Sequence, residues 1–271
     1  MHALNFFPMF FYDNKGGNVY QEFDRLIEIV KQLRNDCPWD REQTHQSLRH
    51  SFLEEVYEVI ESIDREQWSE LRNELGDVFL HLALQTVIAE ERNEFTLEEV
   101  LHHINEKLIR RHPHVFGERK ETDSKTQART WEKIKLTEGR MSVVDGVPYE
   151  LPALLRARRL QEKAAKVGFD WNNKELVWEK IIEELNELRD ASAASDPKHT
   201  EEELGDLLFS IVNYSRFVNV NPEDALRNTS NKFKERFNYI EDHLRAAGKD
   251  IYATSLAEMD QLWNEAKTSS H

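Results

Sequence analysis

The 271-residue chain contains one cysteine, Cys37, so an internal disulfide framework is excluded and a reducing compartment, the cytoplasm, is expected. Glycine and proline are sparse, at 9 and 7 residues, which disfavours a turn-rich sheet protein. Long apolar runs are missing. The nearest approach to one, "MHALNFFPMFFYDNKGG", is interrupted by Pro8 and has neither a basic start nor a small-residue cleavage site, so neither a signal peptide nor a membrane span is expected. Positive charge is also short: 36 Lys and Arg stand against 51 Asp and Glu, a formal net charge of −15. Duplex nucleic acid is therefore not an expected partner, and cations are. No Gly-x-x-x-x-Gly-Lys-Ser/Thr loop occurs, which leaves a P-loop ATPase unsupported.

Helical periodicity runs through most of the rest. Hydrophobic residues make up 39% and charged residues 32%, enough apolar material for a core beneath a solvated surface. Phe23, Leu26, Ile27, Val30 and Leu33 mark a helix that "NDCPWD" stops. A second helix from near Ser47 carries Phe52, Val56, Val59, Ile60 and Ile63. A third, residues 69–90, carries Leu71, Leu75, Val78, Phe79 and Leu82, with each set read as an inward stripe. Residues 96–111 form a fourth helix, ended by Pro113, and a short helix is expected around Trp131. After the break "MSVVDGVPYELP" the order repeats, with helices at 153–165, 176–190 and 201–217. The expectation is an all-α tandem repeat of two helical bundles, residues 20–140 and 141–271. Residues 1–19 read as an extension, either disordered or packed on a partner.

The repeat is sharpest in its acids. Glu54-Glu55-x-x-Glu58 is followed after fifteen residues by Glu74-Leu75-Gly76-Asp77, and the same pattern recurs 129 residues later as Glu183-Glu184-x-x-Glu187 and Glu203-Leu204-Gly205-Asp206. Residues three apart share a helix face, so Glu55 with Glu58 and Glu74 with Asp77 can converge across an antiparallel hairpin, as can Glu184, Glu187, Glu203 and Asp206. Four carboxylates so placed repel one another unless a divalent cation intervenes, and hard oxygen donors suit Mg²⁺ or Mn²⁺. Gly76 and Gly205, mid-helix at a cost of about 1 kcal/mol against Ala, suggest the close approach of a helix or ligand.

The acidic signature, with "CPWDREQTHQSL", "RRHPHVFG" and "LQEKAAKVGFDW", resembles the MazG family of all-α nucleoside triphosphate pyrophosphohydrolases over nearly all of residues 20–267. The resemblance implies Mg²⁺-dependent hydrolysis of a nucleoside triphosphate to the monophosphate and pyrophosphate, broad (d)NTP acceptance in nucleotide-pool housekeeping, and a homodimer. It gives the paired cations Lys107 with Arg111 and Lys232 with Arg236 a place against phosphate, and favours a nucleotide role for Trp263. Trp39 and Trp171 are read as packing residues. Among the positions near the acids, Lys180 and His199 stand where the first half has Ser51 and Glu70. The second half is thus expected to carry most of the activity, with Glu184, Glu187, Glu203 and Asp206 catalytic and Lys180, His199, Lys232, Arg236 and Trp263 on the substrate.

Two rivals compete. A di-iron carboxylate bundle would use Glu42-x-x-His45 and Glu99-x-x-His102, although neither pair recurs in the second half. A non-catalytic acidic helical scaffold would bind a regulatory partner through the apolar extension.

Overall fold

The structure is a computed structural model that describes residues 18–117 and 141–269, and these stretches form two compact units. Trp131, Lys135 and most of residues 1–19 lie outside the described residues. Among the described residues every regular element is helical, as the periodicity requires.

In the first unit, α1 (Val19–Asp36) starts at Asn18, whose side chain accepts from the Tyr20 amide, and stops before Pro38, which opens the short α2 (Pro38–Glu42). Then follow α3 (Arg49–Asp64), α4 (Trp68–Glu91), α5 (Leu97–Arg111) and α6 (Pro113–Phe116). The start of α5 is a capping box: the Thr96 hydroxyl accepts from the Glu99 amide, and the Glu99 carboxylate accepts from the Thr96 amide. The core gathers Val30 of α1, Leu48 ahead of α3, and Ala83, Leu84, Val87 and Ile88 of α4. Arg34 ties α1 to the end of α4 through a two-point contact with Glu91 and donates to the carbonyls of Asp40 and Gln43.

The second unit comprises α7 (Ala153–Lys166), α8 (Lys174–Ala193), α9 (Pro197–Phe217), α10 (Pro222–Ala246), a 3₁₀ turn (Ile251–Ala253) and α11 (Leu256–Ser269). Here α9 packs on both α8 and α7, and α10 on α7 and α11. Its core includes Val177, Ile181, Val212, Ile240, Leu244 and Ala266. Helix α9 begins four residues earlier than its apolar pattern indicates. Asp196 caps it by accepting from the amides of Lys198 and His199, with Pro197 in the first turn.

Each unit centres on a helical hairpin with the same pivot. Glu66 and Ser195 hold left-handed backbone, φ 55° and 57°, at the turns between α3 and α4 and between α8 and α9. Glu58 and Glu74 lie eight residues either side of Glu66, and Glu55 and Asp77 eleven. Glu187 and Glu203, and Glu184 and Asp206, stand in the same relation to Ser195. Antiparallel helices folded at those pivots bring equidistant positions level.

The inward stripes require correction. Leu75, Phe79 and Leu82 are 43%, 52% and 47% exposed, Ile63 is exposed, and Phe52, Val56, Val59 and Ile60 are only half-buried. The reason is the reach of α1, which meets the C-terminal part of α4 and leaves the pivot end of the hairpin without a second layer among the described residues. Leu185, Leu204 and Leu208 are similarly exposed in the second unit. Gly76 and Gly205 also depart from expectation: a Cβ at either would meet nothing within 4 Å among the described residues, so no helix among them makes the close approach.

Candidate active site

The hairpins place the duplicated acids together. Carboxylate oxygens of Glu55, Glu58 and Glu74 lie within 4.8 Å of one another in the first unit, and those of Glu184, Glu187 and Glu203 do so in the second. Asp77 and Asp206 stand outside these triplets. Asp77 is still close enough to help raise the Glu55 and Glu74 carboxyls, and Asp206 lines a cavity together with Glu184. Loss of solvent is the main cause that pushes Glu55 up, followed by Glu58 and Asp77. For Glu74, loss of solvent leads and a hydrogen bond with Glu58 follows. In the second unit Glu187 is raised by loss of solvent and then by Glu184 and Glu203. After loss of solvent, neighbouring carboxylates add to each shift, and the donor set is all carboxylate oxygen, which fits a hard divalent cation.

The second cluster differs by its cations. Lys180, one turn ahead of Glu184, places Nζ 2.6 Å from Glu184 and 2.8 Å from Glu183. Both contacts hold the ammonium pKa well above its ordinary value, Glu183 more strongly. Glu184 keeps its carboxylate 7% exposed against that lysine. His199, brought into helix by the Asp196 cap, has Nδ1 3.4 Å from Glu203. Ser51 and Glu70 supply nothing comparable in the first unit.

Beside the second cluster lies a cavity of about 770 Å³, within the range of small-molecule pockets. Lys180, Glu184 and Asp206 stand at its acidic side, while Leu160, Val177 and Trp171 give it apolar walls. Trp171 is thus not the packing residue expected, since it is 43% exposed and lines this cavity. Trp39 is 62% exposed and is likewise not a core residue. Arg216 holds the loop that carries Trp171, donating from both terminal nitrogens to the Asp170 carboxylate at 2.7 and 3.3 Å, and to Asn213 Oδ1 at 2.6 Å. Arg216, Asn213 and Gln161 are cavity residues that periodicity alone does not flag. The "GFDW" block is the nearest sequence signal.

Offset by 129, the cavity positions Val177, Asn213 and Arg216 become Leu48, Leu84 and Val87, which are members of the first unit's buried core. Ser210 becomes His81, buried and stacked on Phe52 at 5.6 Å. The first unit therefore keeps the acids and packs apolar side chains where the second keeps open volume.

Arg236 and Trp263 form a separate pair, with Lys232 one turn before Arg236 on α10. Arg236 lies over the Trp263 ring, 5.5 Å from its centroid, Trp263 packs on Phe233, and none of the three lines the cavity. The di-iron pairs dissolve into structural roles: Glu99 belongs to the α5 capping box, and His45 pairs with Gln85 and Glu94. Among the described residues the metal-type clusters contain carboxylates only.

Residues 43–116 and 172–240 each match the family model described as the MazG nucleotide pyrophosphohydrolase domain. The chain is 46% identical over 250 residues to a Thermotoga maritima protein named nucleoside triphosphate pyrophosphohydrolase/pyrophosphatase MazG, across 90% of this chain and 95% of that one. It is 38% identical over 255 residues to the Escherichia coli nucleoside triphosphate pyrophosphohydrolase, across 91% and 97%. With the Bacillus subtilis protein YabN it shares 45% identity across 92% of this chain and 52% of that one.

Proposed function

The chain belongs to the MazG nucleotide pyrophosphohydrolase family, and from that premise we propose that it hydrolyses nucleoside triphosphates to the monophosphate and pyrophosphate, with Mg²⁺, at the second unit. The observation that carries the assignment is the convergence of Glu184, Glu187 and Glu203 beside a nucleotide-sized cavity that Asp206 and Lys180 also line. Glu184, Glu187, Glu203 and Asp206 are the residues that would hold the metal. Bound there, Mg²⁺ supplies counter-charge for the carboxylates and polarises the phosphoryl group toward attack by water.

The chain's own residues do the rest. Lys180 neutralises Glu184 and Glu183 in the free enzyme, and its ammonium becomes available to phosphate oxygens once the carboxylate is otherwise engaged. His199 orients Glu203 from the preceding turn. Glu183, held by Lys180 outside the triplet, is a carboxylate left to orient the attacking water. Lys232, Arg236 and Trp263 serve a substrate that extends past the cavity or reaches across to a second copy. A homodimer is supported by the uncovered apolar faces of both hairpins, Leu75 and Phe79 in one and Leu185 and Leu208 in the other. The domain division at residues 140 and 141, the cytoplasmic location, and broad (d)NTP use in pool housekeeping belong to the same proposal. Among the described residues no helix is long and apolar enough to cross a membrane.

Incubation with each ribo- and deoxynucleoside triphosphate and Mg²⁺, followed by product chromatography, tests the reading. Monophosphate and pyrophosphate are expected. No turnover of any nucleotide leaves the acidic scaffold as the better account.

A further inference from the structure

Lys163 carries a charge that the proposed chemistry leaves unused. It lies on α7 in the block "LQEKAAKVGFDW" and is 4% exposed, the most deeply buried charged side chain among the described residues. An ammonium so placed needs acceptors. Its Nζ donates to the Val143 carbonyl at 3.3 Å and to the Asp145 carbonyl at 2.7 Å, both in the break "MSVVDGVPYELP". The turn there is also closed from within: the Asp145 carboxylate accepts from the amides of Met141 and Ser142 at 3.0 and 2.7 Å. Lys163 ties that turn to α7. At the matching position of the first unit, 163 − 129 = 34, Arg34 reaches downstream instead, to Glu91 and to the carbonyls of Asp40 and Gln43.

Val144 stands between the two tethered carbonyls. It is 40% exposed and lines the cavity together with Leu160 and Ala164 of α7, whereas Lys163 does not line it. Holding the backbone on both sides of one residue fixes where its side chain stands. We infer that Lys163 is a positioning residue for nucleotide binding, which acts by keeping Val144 as an apolar wall of the cavity; this rests on the pyrophosphohydrolase reading of the same site. An apolar wall contacts the bound nucleoside and takes no part in the charge that develops at phosphorus. It therefore strengthens binding of the ground state and the transition state alike, so its loss raises KM and spares kcat.

The test is kcat and KM for ATP, or for the triphosphate turned over fastest where ATP is not a substrate, with the full chain and Mg²⁺. Four proteins are compared: the wild type, Lys163→Met, Val144→Ala and the double variant. Lys163→Met is expected to raise KM about tenfold and Val144→Ala about fivefold, each with kcat within about twofold of the wild type. In the double variant KM should stand within about twofold of Lys163→Met, because the wall that Val144→Ala trims is already displaced. Lys163→Arg, which keeps charged donors for the two carbonyls, should return KM to within about threefold of the wild type. KM does not depend on the fraction of a preparation that is active, so partial misfolding leaves the reading intact. Val144→Ala, at a partly exposed side chain, decides whether the wall is used even where Lys163→Met fails to fold. An unmoved KM in Val144→Ala, a Lys163→Met enzyme with lowered kcat and unmoved KM, or effects that multiply in the double variant overturn the inference while leaving pyrophosphate release in place. No turnover of any nucleoside triphosphate by the wild type overturns the pyrophosphohydrolase reading and this inference with it.

Discussion

Replacing Lys180 by Met removes the resident cation of the second cluster. The Glu184 carboxylate, 7% exposed, then loses an ammonium 2.6 Å away and remains beside Glu187 and Glu203. Stripping one partner from a fully buried pair costs about 3–5 kcal/mol. Lys180 is itself 34% exposed, so solvent already screens the contact and about 1–2 kcal/mol is the better figure. For a chain of this size that lowers Tm by roughly 2–8 °C. The deficit should belong to the metal-free state. In EDTA nothing replaces the ammonium, whereas Mg²⁺ at the carboxylates supplies the missing charge and binds the variant more tightly than the wild type. Thermal unfolding followed by circular dichroism, in EDTA and in a series of Mg²⁺ concentrations, should therefore show a gap that narrows as Mg²⁺ rises. Pyrophosphate release should fall about 100-fold, because a phosphate contact is lost as well. A gap of equal size with and without Mg²⁺, or no gap in EDTA, would refute the idea that Lys180 holds the place a metal takes.

Glu203→Gln should lower pyrophosphate release at least about 100-fold and Glu74→Gln less than about threefold, measured by product chromatography; the opposite order would assign activity to the first unit. Ser51→Lys puts an ammonium one turn ahead of Glu55, as Lys180 stands to Glu184, and should stabilise the metal-free protein by about 0.3–0.5 kcal/mol while lowering the Glu55 pKa in a carboxyl NMR titration. Glu55 and Glu74 titrate above their ordinary values, so their contribution is most favourable below the usual carboxylate range and is lost as pH rises through the raised values. In EDTA, the Tm of the wild type should accordingly fall relative to Glu74→Gln as pH rises from about 4 to 7. Mg²⁺ should close the difference, and a wild type that gains on the variant over that range would contradict the cause assigned to the shifts.

The helices were legible because their signals are local. Apolar spacing locates α1, α3, α4 and α7; "NDCPWD" ends α1, where Pro38 removes a donor, and "MSVVDGVPYELP" precedes α7. A start at residue 201 overlooks Asp196 followed by Pro197, a cap and first-turn pair, and with it the helical turn that brings His199 to Glu203. Burial was less legible. Periodicity says which residues share a face, but not whether another helix covers it, so Phe79 and Leu82 shared a stripe and still stand exposed.

The acids were legible for a stronger reason. Spacing symmetric about a pivot fixes convergence, and Glu66 and Ser195 supply that pivot with nearly the same backbone angle in both units. What a spacing argument does not reach is the volume beside the acids, because volume depends on the size of side chains from three or four elements at once. The difference between the units lies there. Leu84 and Val87 fill the first unit's core where Asn213 and Arg216 leave the second open, and Ser51 leaves Glu55 without the ammonium that Glu184 has. The first unit's carboxylates would gain stability from a cation, since Glu58 and Asp77 help raise both Glu55 and Glu74 in its absence. Metal affinity and turnover are therefore expected to separate between the units: a first unit that binds Mg²⁺ and releases no pyrophosphate is the predicted outcome.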